Sequence, residues 1–194
     1  MNMRYIAFLL IILIAGTALA QTKLKKFEIS KEIDVKLPSD FSPMPDEGIA
    51  REYPTTTKPL AVYTSPNGQV DFSVLQKGSQ FRPKDLTMLR EFYKASLLQM
   101  FTKVDFIRQE VTEVNGQEFL TFEFVSTVAD EREGGMLAPV QKYSIIQYTI
   151  IENDPKTVRD NQLISFTFHV PFSMKNKWQE TAREVMGSVN IKKK

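Results

Sequence analysis

The chain of 194 residues contains no cysteine. This excludes disulfides, cysteine nucleophiles, thiolate metal centres and iron–sulfur clusters. It also excludes a lipid anchor on an N-terminal cysteine. Histidine is nearly absent too. His169 is the single copy, and one imidazole without thiolates makes a poor zinc set. No phosphate-cradling G-x-x-x-x-G-K-[ST] occurs, nor G-x-G-x-x-G, G-x-S-x-G or H-E-x-x-H. Charge of one sign is missing as well. With 25 basic and 23 acidic residues, the net charge is +2, which gives no reason to expect nucleic acid as a partner. The one strongly apolar run, Tyr5 to Ala15, is shorter than the ~20 residues a membrane span needs.

That run lies in a recognisable context. Arg4 precedes it, Gly16 and Thr17 follow, and Ala18-Leu19-Ala20 closes it with small residues. This is the pattern of a secretory signal peptide over residues 1–20, cleaved after Ala20. Residues 21–194 are then expected to form a single domain. Loss of Arg4 leaves the processed chain at +1. The expectation is export, to the periplasm or the medium, with no stable membrane anchor after cleavage. An exported domain without disulfides must rely on its core, and a chain of this length buries roughly 70% of its unfolded surface.

Apolar spacing supplies that core. Phe27, Ile29, Ile33, Val35 and Leu37 share odd parity, the period of a strand. Three strand pairs follow: Leu60–Thr64 with Gln69–Leu75, Val104–Val114 with Gln117–Ala129, and Tyr143–Ile151 with Gln162–Val170. The first two turn through Asn67-Gly68 and Asn115-Gly116, dipeptides suited to tight hairpins. Leu120, Phe122, Phe124 and Val128 fall on one face, with Phe119 and Val125 on the other. Tyr143, Ile145 and Ile151 oppose Ile146, Tyr148 and Ile150. Strands apolar on both sides need cover on both sides. Two helices are available. "KDLTMLREFYKASLLQMF" places Leu86, Leu89, Phe92, Tyr93, Leu97, Met100 and Phe101 on one stripe, with Pro83 at its start. "MKNKWQETAREVMGSV" carries Trp178, Ala182, Val185, Met186 and Val189, with Ser173 as N-cap and Gly187 near its end. The expected class is α+β, a three-layer α/β/α sandwich around a central, mainly antiparallel sheet.

The order is an extended "FEISKEIDVKLPSDF", an "NG" hairpin, a middle helix, "EVNGQEFLTFEF", a strand pair and a Trp-bearing helix ending in "SVNI". From about Phe27 to Ile191 it resembles the PsbP-like superfamily, and within it the bacterial exported DcrB-like proteins. The resemblance implies the same α/β/α sandwich and no shared catalytic residues or cofactor. It also implies an action exerted mostly by binding other proteins.

The residues alone offer few sites. His169 follows Leu163, Ser165 and Thr167 on the more polar face of its strand, and reads as hydrogen-bonded at the sheet surface. Asp130 to Gly135, "DEREGG", lacks EF-hand spacing and reads as a solvated loop. The whole segment Asp130 to Val140 is longer than ordinary hairpin loops of roughly 2–5 residues. It presents Arg132, Met136 and Leu137, the candidate partner-binding positions. Lys23, Lys25 and Lys26 near one end, and Lys192 to Lys194 at the other, read as solvated tails. No metal, cofactor or catalytic set is indicated. The expected function is that of an exported, non-enzymatic binding or accessory protein of the cell envelope, with an envelope protein as partner. The alternative is a carrier of a small apolar ligand held between helix and sheet among Phe92, Phe101, Phe122 and Phe124.

Overall fold

The structure is a computed structural model that describes residues 22–53, 57–130 and 138–192. The reading of residues 1–20 as a signal peptide lies outside them. The odd-parity run folds as two strands, β1 (Leu24–Glu28) and β2 (Ile33–Pro38), paired antiparallel. The turn between them spans an even number of residues, so one parity persists through both. A two-residue strand, β10 (Asn190–Ile191), pairs with the other side of β2 and completes a small three-stranded sheet.

The main sheet has seven strands: β3 (Ser42–Pro43), β4 (Ala61–Thr64), β5 (Asp71–Gly78), β6 (Lys103–Val114), β7 (Gln117–Asp130), β8 (Ala138–Ile151) and β9 (Gln162–Pro171). Their order is β3-β4-β5-β9-β8-β7-β6, and each pairing is antiparallel. The three expected hairpin pairs are all present. Asn115 (φ 51°) and Gly116 (φ 78°) both adopt the left-handed backbone of a primed two-residue turn. At the earlier turn only Gly68 does so (φ 65°). There Asn67 acts through its side chain instead, accepting from Ser65 Oγ at 2.7 Å. The edge strand β6 carries a bulge between Phe106 and Arg108 that leaves Ile107 outward.

A short helix, α1 (Asp46–Glu52), lies between β3 and β4. Helix α2 (Leu86–Met100) covers one face of the main sheet, with Leu86, Leu89 and Leu97 packed on Leu120, Phe122, Phe124, Ile150 and Leu163. Each such side chain, fully buried, contributes roughly 1.5–3 kcal/mol. Helix α3 (Lys175–Met186) and the small sheet cover the opposite face. There Trp178, Ala182, Val185 and Met186 meet Phe166, Phe168, Tyr143 and Ile145, while Ile33, Val35 and Leu37 enter from β2. Ser173 does not cap α3. It sits inside a 3-10 turn, Phe172–Met174, and Met174 takes the cap position without a side-chain hydrogen bond. That tight turn delivers the chain from β9 straight into the helix, leaving no room for an extended cap residue at 173. Layers, class and mainly antiparallel sheet are those the sequence implies.

Candidate functional site

The apolar residues of α2 divide between two sides. Leu86, Leu89 and Leu97 are buried, and Tyr93 stacks on Tyr148 with ring centroids 4.0 Å apart. Phe92 and Met100, expected on the same buried stripe, are 61% and 67% exposed. The helical period explains the first correction and the helix end the second. The buried line runs through Leu86, Leu89, Tyr93 and Leu97, and Phe92 lies about 100° off Tyr93, on the flank shared with Met88. Met100 ends the helix, and the next residue, Phe101, takes the inward place against Phe124 at 6.0 Å. Met88 is 59% exposed and Leu98 51%. Single exposed apolar side chains are ordinary. Here Met88, Phe92 and Leu98 fall on the outward side of one helix, and Met100 stands exposed at its end.

Arg132, Met136 and Leu137 lie outside the described residues. The described strands β7 and β8 pair up to Asp130 and Ala138. The aromatics proposed to line a ligand gap fill that space themselves. Phe122 and Phe124 are fully buried, and each ring lies 6.0 Å from Phe106.

His169 is hydrogen-bonded on the sheet, as expected: Ser144 Oγ lies 2.8 Å from its Nδ1. The register also sets Asp71 directly across from His169 on β5. Serine, histidine and aspartate thus form one row across three strands. The row is not arranged as a hydrolase triad, because Ser144 is 1% exposed and its hydroxyl cannot meet a substrate. Burial, reinforced by the charge of Lys142, pulls the imidazole down to about 4.

On the other face, Glu123 is fully buried beneath α3. It accepts from Arg183 Nη2 at 2.8 Å, Gln179 Nε2 at 2.9 Å and Tyr143 Oη at 3.0 Å, and Arg108 Nε stands 3.5 Å away. Burial alone would raise its carboxyl. The donors from Arg183, Gln179 and Tyr143 outweigh burial and hold it below the ordinary carboxylate value. A carboxylate so occupied is a lock between helix and sheet rather than a general base. The sequence signal was there: a charge in the middle of a strand apolar on both faces must find partners.

The basic ends are only partly solvated. Lys26 Nζ and Lys192 Nζ converge on Asp34 Oδ2, at 2.9 and 3.4 Å. Asp34 is 3% exposed near the start of β2. The Lys26 contact leads the forces that lower its carboxyl, against burial. These two lysines therefore clip the small sheet, which corrects their reading as tails. Among the described residues no helix is long and apolar enough to cross a membrane.

The sequence matches no family model and no curated protein. Solved structures are similar in fold. The solution structure of cyanobacterial PsbP (CyanoP) from Synechocystis sp. PCC 6803 superposes with a TM-score of 0.57 at 14% identity, covering 90% of this chain and 96% of that one. LpqN of Mycobacterium tuberculosis, described as involved in cell envelope biogenesis, gives 0.56 at 8% identity, covering 88% and 91%. The chain has the PsbP-like fold.

Proposed function

We propose that this protein is an exported, non-enzymatic accessory protein that binds an envelope protein through the outward face of α2. The observation that carries the reading is the outward set Met88, Phe92 and Leu98, each more than half exposed, with Met100 exposed at the helix end. Solvent gains nothing from apolar side chains held out on a rigid helix. A partner protein with a complementary apolar face gains their burial, at roughly 25 cal/mol per Å². The N-terminal pattern of residues 1–20 supports export. The fold shared with LpqN, a protein of cell envelope biogenesis, supports the compartment.

The test is site-specific photo-crosslinking in the native host. A crosslinker at position 92 should yield one discrete protein adduct, and a crosslinker at Glu180 on α3 should not. The adduct should vanish when Met88 and Leu98 are both changed to Ser. Equal adducts at both positions, or none at position 92, overturn the reading.

A further inference from the structure

A second feature stands apart from the α2 face. At the end of the sheet away from α2, Glu52, Tyr53, Gln69, Asp71, Lys142 and His169 line a recess of about 280 Å³. Its floor is unusual. Asp71 is 9% exposed, and its Oδ1 is buried with no hydrogen-bond partner among the described residues. Directly across, His169 has Nδ1 committed to Ser144. Its Nε2 is left as the ring nitrogen without a protein partner among those residues. At the mouth, Lys142 is exposed and has no ion-pair partner among them, and the Glu52 side chain is exposed as well.

These groups select a ligand. A bare anion would face two carboxylates. A bare amine would face Lys142. A metal ion lacks its set, since no three of His, Cys, Asp and Glu converge to hold one among the described residues. A single water would satisfy Asp71, but a water's share of volume is only about 30 Å³. Burial raises the Asp71 carboxyl and the Glu52 charge adds to this, against a hydrogen bond from Thr64 and the charge of Lys142. Lys142 offsets this only in part, and an ammonium at Asp71 would supply the remaining counter-charge.

We propose that this recess binds a small zwitterion of the α-amino acid class, with its ammonium held at Asp71 and His169 and its carboxylate at Lys142. Both ends of the molecule are read, so neither half alone suffices. Tyr53 supplies an aromatic wall beside the ammonium.

Titration calorimetry of the purified full chain tests this. The L-α-amino acids are offered singly at millimolar concentration, with propylamine and propionate as the two half-ligands. At least one amino acid should bind, and each half-ligand should bind at least tenfold more weakly. Asp71→Asn and Lys142→Gln should each weaken binding by roughly tenfold or more, the loss of one charge-assisted hydrogen bond. Lys142 is exposed, so its variant decides the question even if Asp71→Asn fails to fold. The proposal is overturned if no amino acid binds, if propylamine binds as tightly, or if Lys142→Gln binds unchanged.

Discussion

Helices α2 and α3 cover opposite faces of one sheet, yet they are written differently. Helix α3 buries Trp178, Ala182, Val185 and Met186 and turns Asn176, Lys177 and Glu180 to solvent. Its grip on the sheet is completed by ions, with Arg183 and Gln179 reaching Glu123. Helix α2 buries three leucines and turns Met88, Phe92 and Leu98 outward. Among the described residues it makes no comparable ionic contact with the sheet, being held by leucines and by the Tyr93–Tyr148 stack. One helix is finished by the fold. The other still has a surface whose burial would lower its free energy. The contrast places the ionic lock on the α3 side and the exposed apolar side chains on the α2 side, where the proposed contact would be made.

The largest effect should come from breaking the ionic lock. Glu123→Ala leaves Arg183, Gln179 and Tyr143 facing an empty buried site. It should cost about 3–5 kcal/mol in urea unfolding. A loss under about 1 kcal/mol would mean that the lock is water-filled and that α3 is held by packing alone. Packing has its own probe. Trp178 lies 5.8 Å from Phe41 and 6.2 Å from Phe168, ring to ring. Trp178→Ala should cost about 3–5 kcal/mol. Trp178→Phe should cost much less, because the indole Nε1 has no hydrogen-bond partner among the described residues to lose. Native tryptophan fluorescence should be blue-shifted; solvent-like emission would contradict the packing.

A smaller effect separates the two faces by pH. His169 ordinarily titrates near 6.5 but is held to about 4 when folded. As pH falls through that interval the unfolded chain takes up a proton that the folded chain refuses. Stability is therefore lost on acidification and is whole above 6.5. Relative to His169→Asn, the wild type should lose about 2 kcal/mol from neutral pH to pH 4, allowing for the ring's partial exposure. Urea curves across that range decide it; parallel losses in both proteins would refute the shift. The smallest effect belongs to the α2 patch. Phe92→Ser should change stability by less than about 0.5 kcal/mol while weakening partner capture by more than about 1 kcal/mol. A large fall in melting temperature would show that Phe92 packs, and the contrast between the helices would collapse.

Much of the fold was legible because it is local. Alternation writes the strands, and Asn115-Gly116 writes its hairpin. The sandwich follows from strands apolar on both faces. The inward side of α2 was not legible, since a helix apolar nearly all round has no unique phase. Phe92 and Met100 could be assigned only once the sheet was in place. The row of Asp71, Ser144 and His169 was hidden for another reason. These residues are far apart in the chain, and only strand register makes them neighbours. Asp34 was visible as a charge within an apolar strand, but one lysine partner lies on β1 and the other just past β10, far apart in the chain.

The bulge in β6 has a consequence for crowded solutions. A sheet with free margins invites other chains to add strands, the first step toward fibres. Here one margin is β3, two residues long and ending in Pro43, which has no amide hydrogen to offer. The other is the long β6, where Lys103, Asp105, Arg108 and Glu110 stud the strand. The displaced register at Ile107 breaks its run of backbone donors and acceptors into two short pieces that no straight strand can match together. Colloidal stability is therefore written into the rim of the sheet, and a protein with exposed methionines and an exposed phenylalanine on one helix still resists stacking on itself.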